Sequence, residues 1–248
     1  MPVKWDAPPE PTPSWLDESV EITKHNDAPK IGSERFAPLC VGVLLALGCS
    51  LEGAVGVTAN AMNECANGTR YRGGNFGGWK ITRGFADAYK KKHGKPSPWW
   101  RALGNKSSGD PPWCYYRGFE SPEQFFEEWL ALFVPKPGTV GQKHRYKRTG
   151  ELFWADDEQW FAAMCAAGYK GRVTAADPSG SIAEHQLLRH SALTRWAQSR
   201  LGVVADGSWG PRSSAACSAF QAAHALPATG TLDEPTARAL LAVPAVAS

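Results

Sequence analysis

The sequence predicts a mainly α-helical fold with a second, smaller helical unit at the C-terminus. Three observations indicate this: a helical spacing of apolar residues before Glu64, an apolar run over residues 36–49, and a change in composition near residue 180. The chain has 248 residues, 43% hydrophobic content and 11 tryptophans. It can therefore bury a sizeable core in one large domain or two modest ones.

The most informative helix is predicted between residues 51 and 64. Apolar or small residues recur there at spacings of three and four, which is typical of a helix with one buried face. These residues are Leu51, Ala54, Val55, Thr58, Ala59 and Met62. We expect Asn67-Gly68 to end the helix.

Glu64 stands in the last turn of this predicted helix, next to a loop rich in Gly, Asn and aromatic residues. The negative end of the helix dipole and partial burial beside aromatic rings would both raise the pKa of its carboxyl group. A raised pKa suits a general acid, which donates a proton to a departing oxygen. A surface glutamate that merely closes a helix is the alternative.

The N-terminal half carries no predicted membrane anchor. Residues 36–49 are apolar but too few to span a bilayer, and Pro38, Gly42 and Gly48 interrupt them, so a buried helix is expected. The first 15 residues are Pro-rich and acidic, unlike a secretory signal peptide. We therefore expect synthesis in the cytoplasm without a signal peptide.

Basic residues are concentrated in one part of the chain, although the formal net charge is only +3. Residues 80–106 hold eight Lys and Arg against the single acid Asp87, and residues 143–148 add a second cluster. A solvated face and attraction to an anionic cell surface are both open. No nucleic-acid recognition motif is visible, so no nucleic-acid partner is predicted.

Six cysteines lie far apart without any CxxC pair, so neither a metal site nor a cofactor is predicted. Most are expected to be small buried residues. If a disulfide forms outside the cytoplasm, Cys65 with Cys114 is the first pair to consider.

A weak internal repeat marks the C-terminal part. The stretches SALTRWAQSRLGVVADGSWGPRSSAACSAFQAAHAL and PATGTLDEPTARALLA each place a glycine-bearing turn, Asp206-Gly207 or Thr229-Gly230, before a helix start. Each start carries a proline, Pro211 or Pro235, and hydroxyl residues that can cap free amides. One small core is expected between the helices, made of Leu193, Trp196, Leu201, Ala216, Phe220, Leu226, Leu240 and Leu241.

This pattern closely resembles the three-helix peptidoglycan-binding domain found at the ends of many cell-wall hydrolases. The match runs from about Ser191 to Val243. Its most specific pieces are Arg200 to Val203, Asp206 to Pro211, Ala219 to Gln221, and Leu226 to Asp233. The resemblance implies adhesion to peptidoglycan, with a shallow groove near Asp206, Trp209 and Arg212.

The segment from Ala59 to Cys65, ANAMNEC, resembles the AQAALES helix end of the bacterial glucosaminidase family, which includes autolysins and has a lysozyme-like fold. Eleven residues after Glu64, the run Asn75 to Lys80 stands where that family has Asn-Leu-Phe-Gly-Ile-Lys. The helix-end glutamate is the family's general acid, so the resemblance implies this role for Glu64.

Two later stretches extend the resemblance. The run from Tyr115 to Ser121 and the aromatic residues after it resemble the family's strand and following helix. Ala166 to Tyr169, with Thr174 and Asp177-Pro178 beyond, resembles the family's Ala-Gly-Tyr-Ala-Thr-Asp-Pro motif with a short insertion. The tyrosine of that motif lines the family's active site. The resemblance thus implies that the Tyr169 hydroxyl positions the sugar or the intermediate; a core aromatic is the alternative.

Substrate contacts are predicted around this acid, because aromatic rings stack on pyranose faces and amides bond acetamide groups. Trp79, Trp113 and Tyr116 are the predicted stacking residues, although each can instead be a core residue. Asn75 is the predicted partner of an N-acetyl group.

The second catalytic group is left open by the sequence. The chain carries a Trp-rich insertion between Lys80 and Tyr115, where the family's hairpin cannot be aligned. Asp110 and Glu120, with Asp87, are the candidate second carboxylates. The family can also use the substrate's own N-acetyl group, so the stereochemistry stays open.

These inferences predict an N-terminal extension (1–33), a lysozyme-like catalytic domain with a small hairpin (34–180), a linker (181–190) and a peptidoglycan-binding domain (191–248). The expected activity is that of an endo-β-N-acetylglucosaminidase on peptidoglycan, by a monomer without cofactor. A muramidase or a lytic transglycosylase is the near alternative, and a non-catalytic wall-binding or virion structural protein is the alternative from another class. A phage endolysin and an injected antibacterial effector both fit, acting in the periplasm or at the wall after release or injection.

Overall fold

The computed structural model describes residues 11–22, 33–66, 74–103, 110–169 and 179–243. After a short 3₁₀ helix (Glu18–Val20), the helices of the first part are α1 (Ser33–Ala46), α2 (Leu51–Glu64), α3 (Arg83–His93), α4 (Pro122–Phe133), α5 (Lys147–Trp154) and α6 (Trp160–Ala166). Those that follow are α7 (Ser179–Arg200), α8 (Pro211–Ala223) and α9 (Glu234–Ala242), and the two strands are β1 (Trp99–Leu103) and β2 (Trp113–Arg117). The predicted mainly α fold with one small hairpin is confirmed.

Helix α2 is the centre of the first part and packs between α1 and α7. Its N-cap is Ser50, whose side chain accepts a hydrogen bond from the amide of Gly53, and every residue from Gly53 to Met62 is buried. Gly56 permits close packing, because a Cβ atom there would lie 2.6 Å from the Trp160 ring. The helix therefore holds Glu64 on a rigid, fully packed support.

Most of the apolar run over residues 36–49 forms a buried helix, as predicted, and α1 ends at Ala46. Phe36, Cys40, Val41 and Leu44 of α1 are fully buried against the rest of the core. Across the described ranges, no helix is both long and apolar enough to cross a membrane.

The hairpin forms within the Trp-rich insertion. Strands β1 and β2 pair antiparallel with Trp99 opposite Arg117 and Leu103 opposite Trp113. Part of the predicted N-terminal extension joins it, since the amide of Ile22 donates to the carbonyl of Trp99 at 2.7 Å. Leu16 packs with Trp99 in a small second core beside the main one.

Residues 181–190, predicted as a linker, instead lie inside the 22-residue helix α7. His185 in this segment is buried, stacks on Phe161 with ring centroids 3.7 Å apart, and contacts the carbonyl oxygen of Gly56 at 2.9 Å. The composition change predicted near residue 180 thus falls at the start of this helix, and residues 170–178 before it lie outside the described ranges. The helix that follows is held by burial against α1 and α2.

The C-terminal unit consists of the second half of α7 with α8 and α9. Pro211 and Pro235 occupy first helical turns, and Asp233 caps α9 by accepting the amide of Thr236 at 2.9 Å. Trp196 and Leu240 are buried as predicted. Leu241, predicted in the core, is 39% exposed because it lies on the outer face of α9, next to the buried Leu240.

All six cysteines are buried free thiols. The suggested pairing of Cys65 with Cys114 is not formed. The Cys65 thiol instead donates to the Ala61 carbonyl one turn earlier in α2, at 2.9 Å, and Cys114 lies in strand β2.

Candidate functional site

Glu64 is the last residue of α2, as predicted, and its side chain is exposed. The partial burial that the sequence suggested for its carboxyl group is therefore not found. The next residue, Cys65, caps the helix through its amide, which bonds the Ala61 carbonyl, and Ala66 has a positive φ of 49°. The chain thus turns sharply after the acid. The predicted stop at Asn67-Gly68 lies outside the described residues.

Tyr169 contacts helix α2 one turn before Glu64, through Asn60. The pKa of its phenol is raised well above the ordinary value, first by burial and then by the charge of Glu64. Its hydroxyl oxygen accepts a hydrogen bond from the Asn60 side-chain amide at 2.7 Å. Its ring packs edge-on against Phe133, with centroids 4.8 Å apart. Residues Thr174 and Asp177-Pro178 of the same motif fall outside the described residues.

The amide of Asn75 is used to hold its own loop. Its nitrogen donates to the carbonyl oxygens of Trp79 at 2.9 Å and Arg117 at 3.0 Å, and its oxygen accepts the amide of Trp79 at 2.9 Å. The side chain is only 2% exposed. The structure thus gives Asn75 a role in tying the loop to strand β2, and does not support the predicted contact with an N-acetyl group.

Trp79 belongs to an aromatic cluster under this loop. Its ring lies within 6.0 Å, centroid to centroid, of Phe119, Phe125 and Phe133, and the Arg117 guanidinium lies 4.9 Å from its centroid. The indole is half-buried. Its partners show that packing accounts for most of its surface, which is the alternative that the sequence left open.

The hairpin presents two of the predicted aromatic residues. Tyr116 stacks on Trp100 with centroids 4.2 Å apart and an interplanar angle of 12°, and burial raises the pKa of its phenol to about 12. Trp113, at the start of β2, is half-buried. Both residues are partly exposed.

Both candidate second carboxylates are held in ion pairs with lysines. Asp110 accepts from Lys80 at 2.6 Å, and Glu120 accepts from Lys95 at 2.5 Å. The hydrogen bond from Lys95 lowers the pKa of Glu120. Asp87 faces Arg83 at 3.8 Å across an exposed helical turn. Within the part of the chain that the structure describes, no group of three or more His, Cys, Asp or Glu is arranged to hold a metal ion.

Sequence reasoning missed two residues that contact Tyr169. Asn60 lies in α2 one helical turn before Glu64, and Trp129 lies in α4, where a hydrogen bond from its side chain lowers the pKa of the Tyr169 phenol. The spacing of four between Asn60 and Glu64 places both on one face of α2 and is the signal that could have found Asn60. Nothing local to Trp129 distinguishes it from a core residue.

A cavity of about 320 Å³ lies at the opposite end of α2 from Glu64. Phe153 and Trp160 form its apolar part, and acidic residues surround it: Glu52, Asp156, Asp157 and Glu158. Arg189 of α7 also lines it and pairs with Glu52 at 2.5 Å. No residue of the predicted site lines this cavity, which lies about 20 Å from Glu64 along the helix.

The C-terminal unit is built around two buried glutamines with equivalent bonds. The Gln198 amide nitrogen donates to Asp206, Ser208 and Ser213, which follow it by 8, 10 and 15 residues, and its oxygen accepts the amide 9 residues on. We call this set the Gln198 network. Gln221 bonds residues at the same separations of 8, 9, 10 and 15, which form the Gln221 network: Thr229, Gly230, Thr231 and Thr236. The weak repeat in the sequence thus corresponds to a duplicated hydrogen-bond network.

The three residues predicted to bind the wall occupy different positions in this unit. The Asp206 carboxylate accepts the Gln198 amide at 2.9 Å and the Ser208 amide at 2.8 Å, so it supports the turn. The Trp209 indole donates to the Gly230 carbonyl at 3.1 Å and joins the two repeats. Arg212 is exposed in the first turn of α8. Asp206 is exposed as well, and Trp209 is half-buried.

Comparisons with known proteins agree with this part of the chain. Residues 191–240 match the family model described as "Putative peptidoglycan binding domain". Comparison with curated proteins and with solved structures gives no significant match. The matched residues include both glutamine networks and the first turns of α8 and α9. The chain therefore carries a C-terminal peptidoglycan-binding domain at residues 191–240.

Proposed function

We propose that this protein is a cell-wall lytic enzyme that hydrolyses the glycan strand of peptidoglycan, with Glu64 as its general acid. The observation that carries the proposal is that Glu64 ends a packed helix one turn after Asn60, whose amide bonds the Tyr169 hydroxyl, in a chain with a peptidoglycan-binding domain. The domain supplies the substrate, and Glu64 and Tyr169 supply groups that can act on a glycosidic bond.

The chemistry asks little of the protein beyond these groups. Glu64 in its protonated form donates its proton to the glycosidic oxygen, which leaves with the electron pair of the breaking C–O bond. The exposed position of Glu64 at the helix end lets a long polymer reach it. Tyr116 and Trp113 of the hairpin offer partly exposed rings on which sugar rings can stack.

Neither candidate for the second catalytic group is ready to act, because both carboxylates are paired with lysines. Asp110 and Glu120 would have to release Lys80 and Lys95 before either could act as base or nucleophile. Assistance by the N-acetyl group of the substrate requires no second carboxylate. We therefore favour hydrolysis after N-acetylglucosamine, as in the glucosaminidases. A muramidase and a lytic transglycosylase are the alternative activities for the same site.

The test is Glu64→Gln in the full-length chain, with Glu52→Gln as the matched control at the other end of α2. Purified sacculi are incubated with each protein, turbidity is followed, and released muropeptides are analysed by mass spectrometry. We expect reducing N-acetylglucosamine ends from the wild type, and a rate about two to four orders of magnitude lower for Glu64→Gln. Lysis by Glu64→Gln at the wild-type rate would remove Glu64 from the mechanism.

The ends of the released muropeptides also distinguish the three possible activities. Reducing N-acetylmuramic acid ends would indicate a muramidase, and anhydro ends a lytic transglycosylase. We place the site of action at the wall, reached after release from the producing cell or after injection.

A non-catalytic wall-binding protein is a second candidate, favoured by one observation. Asn75, Asp110 and Glu120, all predicted to serve the substrate, have their polar groups engaged with other parts of the protein. This candidate predicts that the wild-type chain binds sacculi without lowering their turbidity, and that Glu64→Gln binds equally well.

A further inference from the structure

Asn60 contacts the proposed active site but has no role in the mechanism above. It lies one turn before Glu64 in α2, is 3% exposed, and donates through its amide nitrogen to the Tyr169 hydroxyl at 2.7 Å. Its side-chain oxygen has no hydrogen-bond partner in the described part of the chain. A buried amide with an unpaired oxygen costs free energy, about 1 to 3 kcal/mol for a neutral group. An apolar residue would avoid this cost at the same position.

The bond from Asn60 restricts what the tyrosine can do. A phenol oxygen can accept two hydrogen bonds and has one proton to donate. Asn60 fills one acceptor position, and a hydrogen bond from the Trp129 indole, which is donor-only, lowers the pKa of the same phenol. The Phe133 ring, edge-on at 4.8 Å, sets the plane of the phenol. The remaining capacity of the hydroxyl is therefore to donate its proton.

Glu64 follows Asn60 by one turn on the same face of α2, and its charge raises the pKa of the Tyr169 phenol. We propose that Asn60 is a positioning residue that, with Trp129, fixes the Tyr169 hydroxyl as a hydrogen-bond donor towards Glu64. This inference rests on the proposed function. As Glu64 gives up its proton to the departing oxygen, it becomes a carboxylate, and the tyrosine O–H can donate to it. Hydrogen bonds to ionised groups are stronger than those to neutral ones, so this contact strengthens in the transition state.

The kinetic test uses the full-length chain with Asn60→Ala, Tyr169→Phe and the double variant. The matched control is Asn63→Ala in the same helix, which removes a half-buried amide that donates to Glu184 of α7 at 3.0 Å. We expect Asn60→Ala and Tyr169→Phe each to lower kcat on solubilised glycan strands by at least about tenfold, as for loss of one oriented donor, with KM little changed. The double variant should be no slower than the slower single variant, and Asn63→Ala should match the wild type.

Two results would overturn the role of Asn60 alone. One is a double variant whose loss in kcat equals the product of the two single losses. That result would mean that the two residues act independently, whereas residues that act through one another are not additive in free energy. The other is an equal loss for Asn60→Gln, which keeps the amide donor and should recover part of kcat. Asn60→Gln also serves if Asn60→Ala fails to fold.

An activity-independent measurement separates this inference from the proposed function. In protein labelled with ¹³C at tyrosine Cζ, the Tyr169 resonance, assigned by its loss in Tyr169→Phe, should move in Asn60→Ala, move less in Asn60→Gln, which keeps the donor, and stay in place in Asn63→Ala. An unmoved resonance would show that the bond is absent in solution. A wild type that cuts no glycan would overturn the proposed function and the catalytic role of Asn60 together, even with the bond present.

Discussion

The guanidinium of Arg117 in β2 pairs with the carboxylate of Glu128 in α4, and this contact joins the hairpin to the helix that carries Trp129. Arg117 is 8% exposed and lies 3.5 Å from the centroid of the Phe85 ring, and burial lowers the pKa of its guanidinium. Removing its partner would leave a buried charge unpaired. Removal of either member alone is therefore expected to destabilise the fold strongly.

We expect Glu128→Ala to lower the free energy of unfolding by about 3 kcal/mol, the lower end for a broken buried pair because Glu128 is partly exposed. The matched control is Glu127→Ala, the exposed neighbour in the same helix, for which a change within about 0.5 kcal/mol is expected. Urea unfolding followed by circular dichroism measures both. Equal effects would show that helix content, and not the ion pair, accounts for the loss.

The glutamine networks predict that the stability of the C-terminal domain depends strongly, and to a similar extent, on Gln198 and Gln221. Each is at most 1% exposed, and replacement by alanine leaves buried partners unsatisfied, at a cost of about 2 to 3 kcal/mol. The exposed Gln186 of α7 is the control, since Gln186→Ala removes no such network. Urea midpoints and retention on sacculi should fall for both network variants. Retention equal to the wild type would contradict the view that the networks shape the binding domain.

Acid should destabilise the C-terminal domain through its two turn aspartates. Hydrogen bonds from Ser208 and Gln198 lower the pKa of Asp206 below its ordinary value of 3.8, and bonds from Thr236 do the same for Asp233. A lowered pKa in the folded state means that the stabilisation is present above about pH 4 and is lost as the pH falls through and below 3.8. Thermal unfolding between pH 2 and pH 6 measures this, and Asp233→Asn should flatten the dependence. An unaltered pH profile in that variant would exclude Asp233 as a source.

The thiols should be unreactive until the protein unfolds. All six cysteines are buried, and burial raises the pKa of Cys40 and brings that of Cys49 to about 11, which lowers the fraction of reactive thiolate. Iodoacetamide at neutral pH should add little mass to the native chain and six adducts in urea. Dithiothreitol should leave the unfolding midpoint unchanged. A midpoint that falls with dithiothreitol would indicate a disulfide in solution.

Local patterns in the sequence carried the prediction of the helices and of the repeat. The spacing of apolar residues before Glu64 gave α2 its correct end, and the paired glycine turns marked the starts of α8 and α9. These features depend on residues within one or two turns of each other. The position of Arg212 also follows from such a local pattern. It is exposed in the first turn of α8, where the sequence predicted a helix start.

Contacts between distant residues set the features that the sequence did not reveal. Asn75 was predicted to face the substrate, but its amide is occupied by the backbone of Arg117, 42 residues later. Asn60 meets Tyr169 across 109 residues. The predicted linker carries many polar residues, and its place in the packed core depends on distant contacts: His185 is buried against Gly56, and Ile182 and Leu188 pack on the main core.

Helix α7 also determines how far the candidate active site stands from the wall-binding domain. One continuous helix buries His185 under α2 and provides Gln198 to the C-terminal repeat. Its 22 residues span about 33 Å without the fluctuating end-to-end distance of a flexible tether. If the proposed function is right, the rigid helix would fix the distance between the position where the domain binds a glycan strand and the position where the strand is cut. Limited digestion of sacculi would then release fragments with a preferred length.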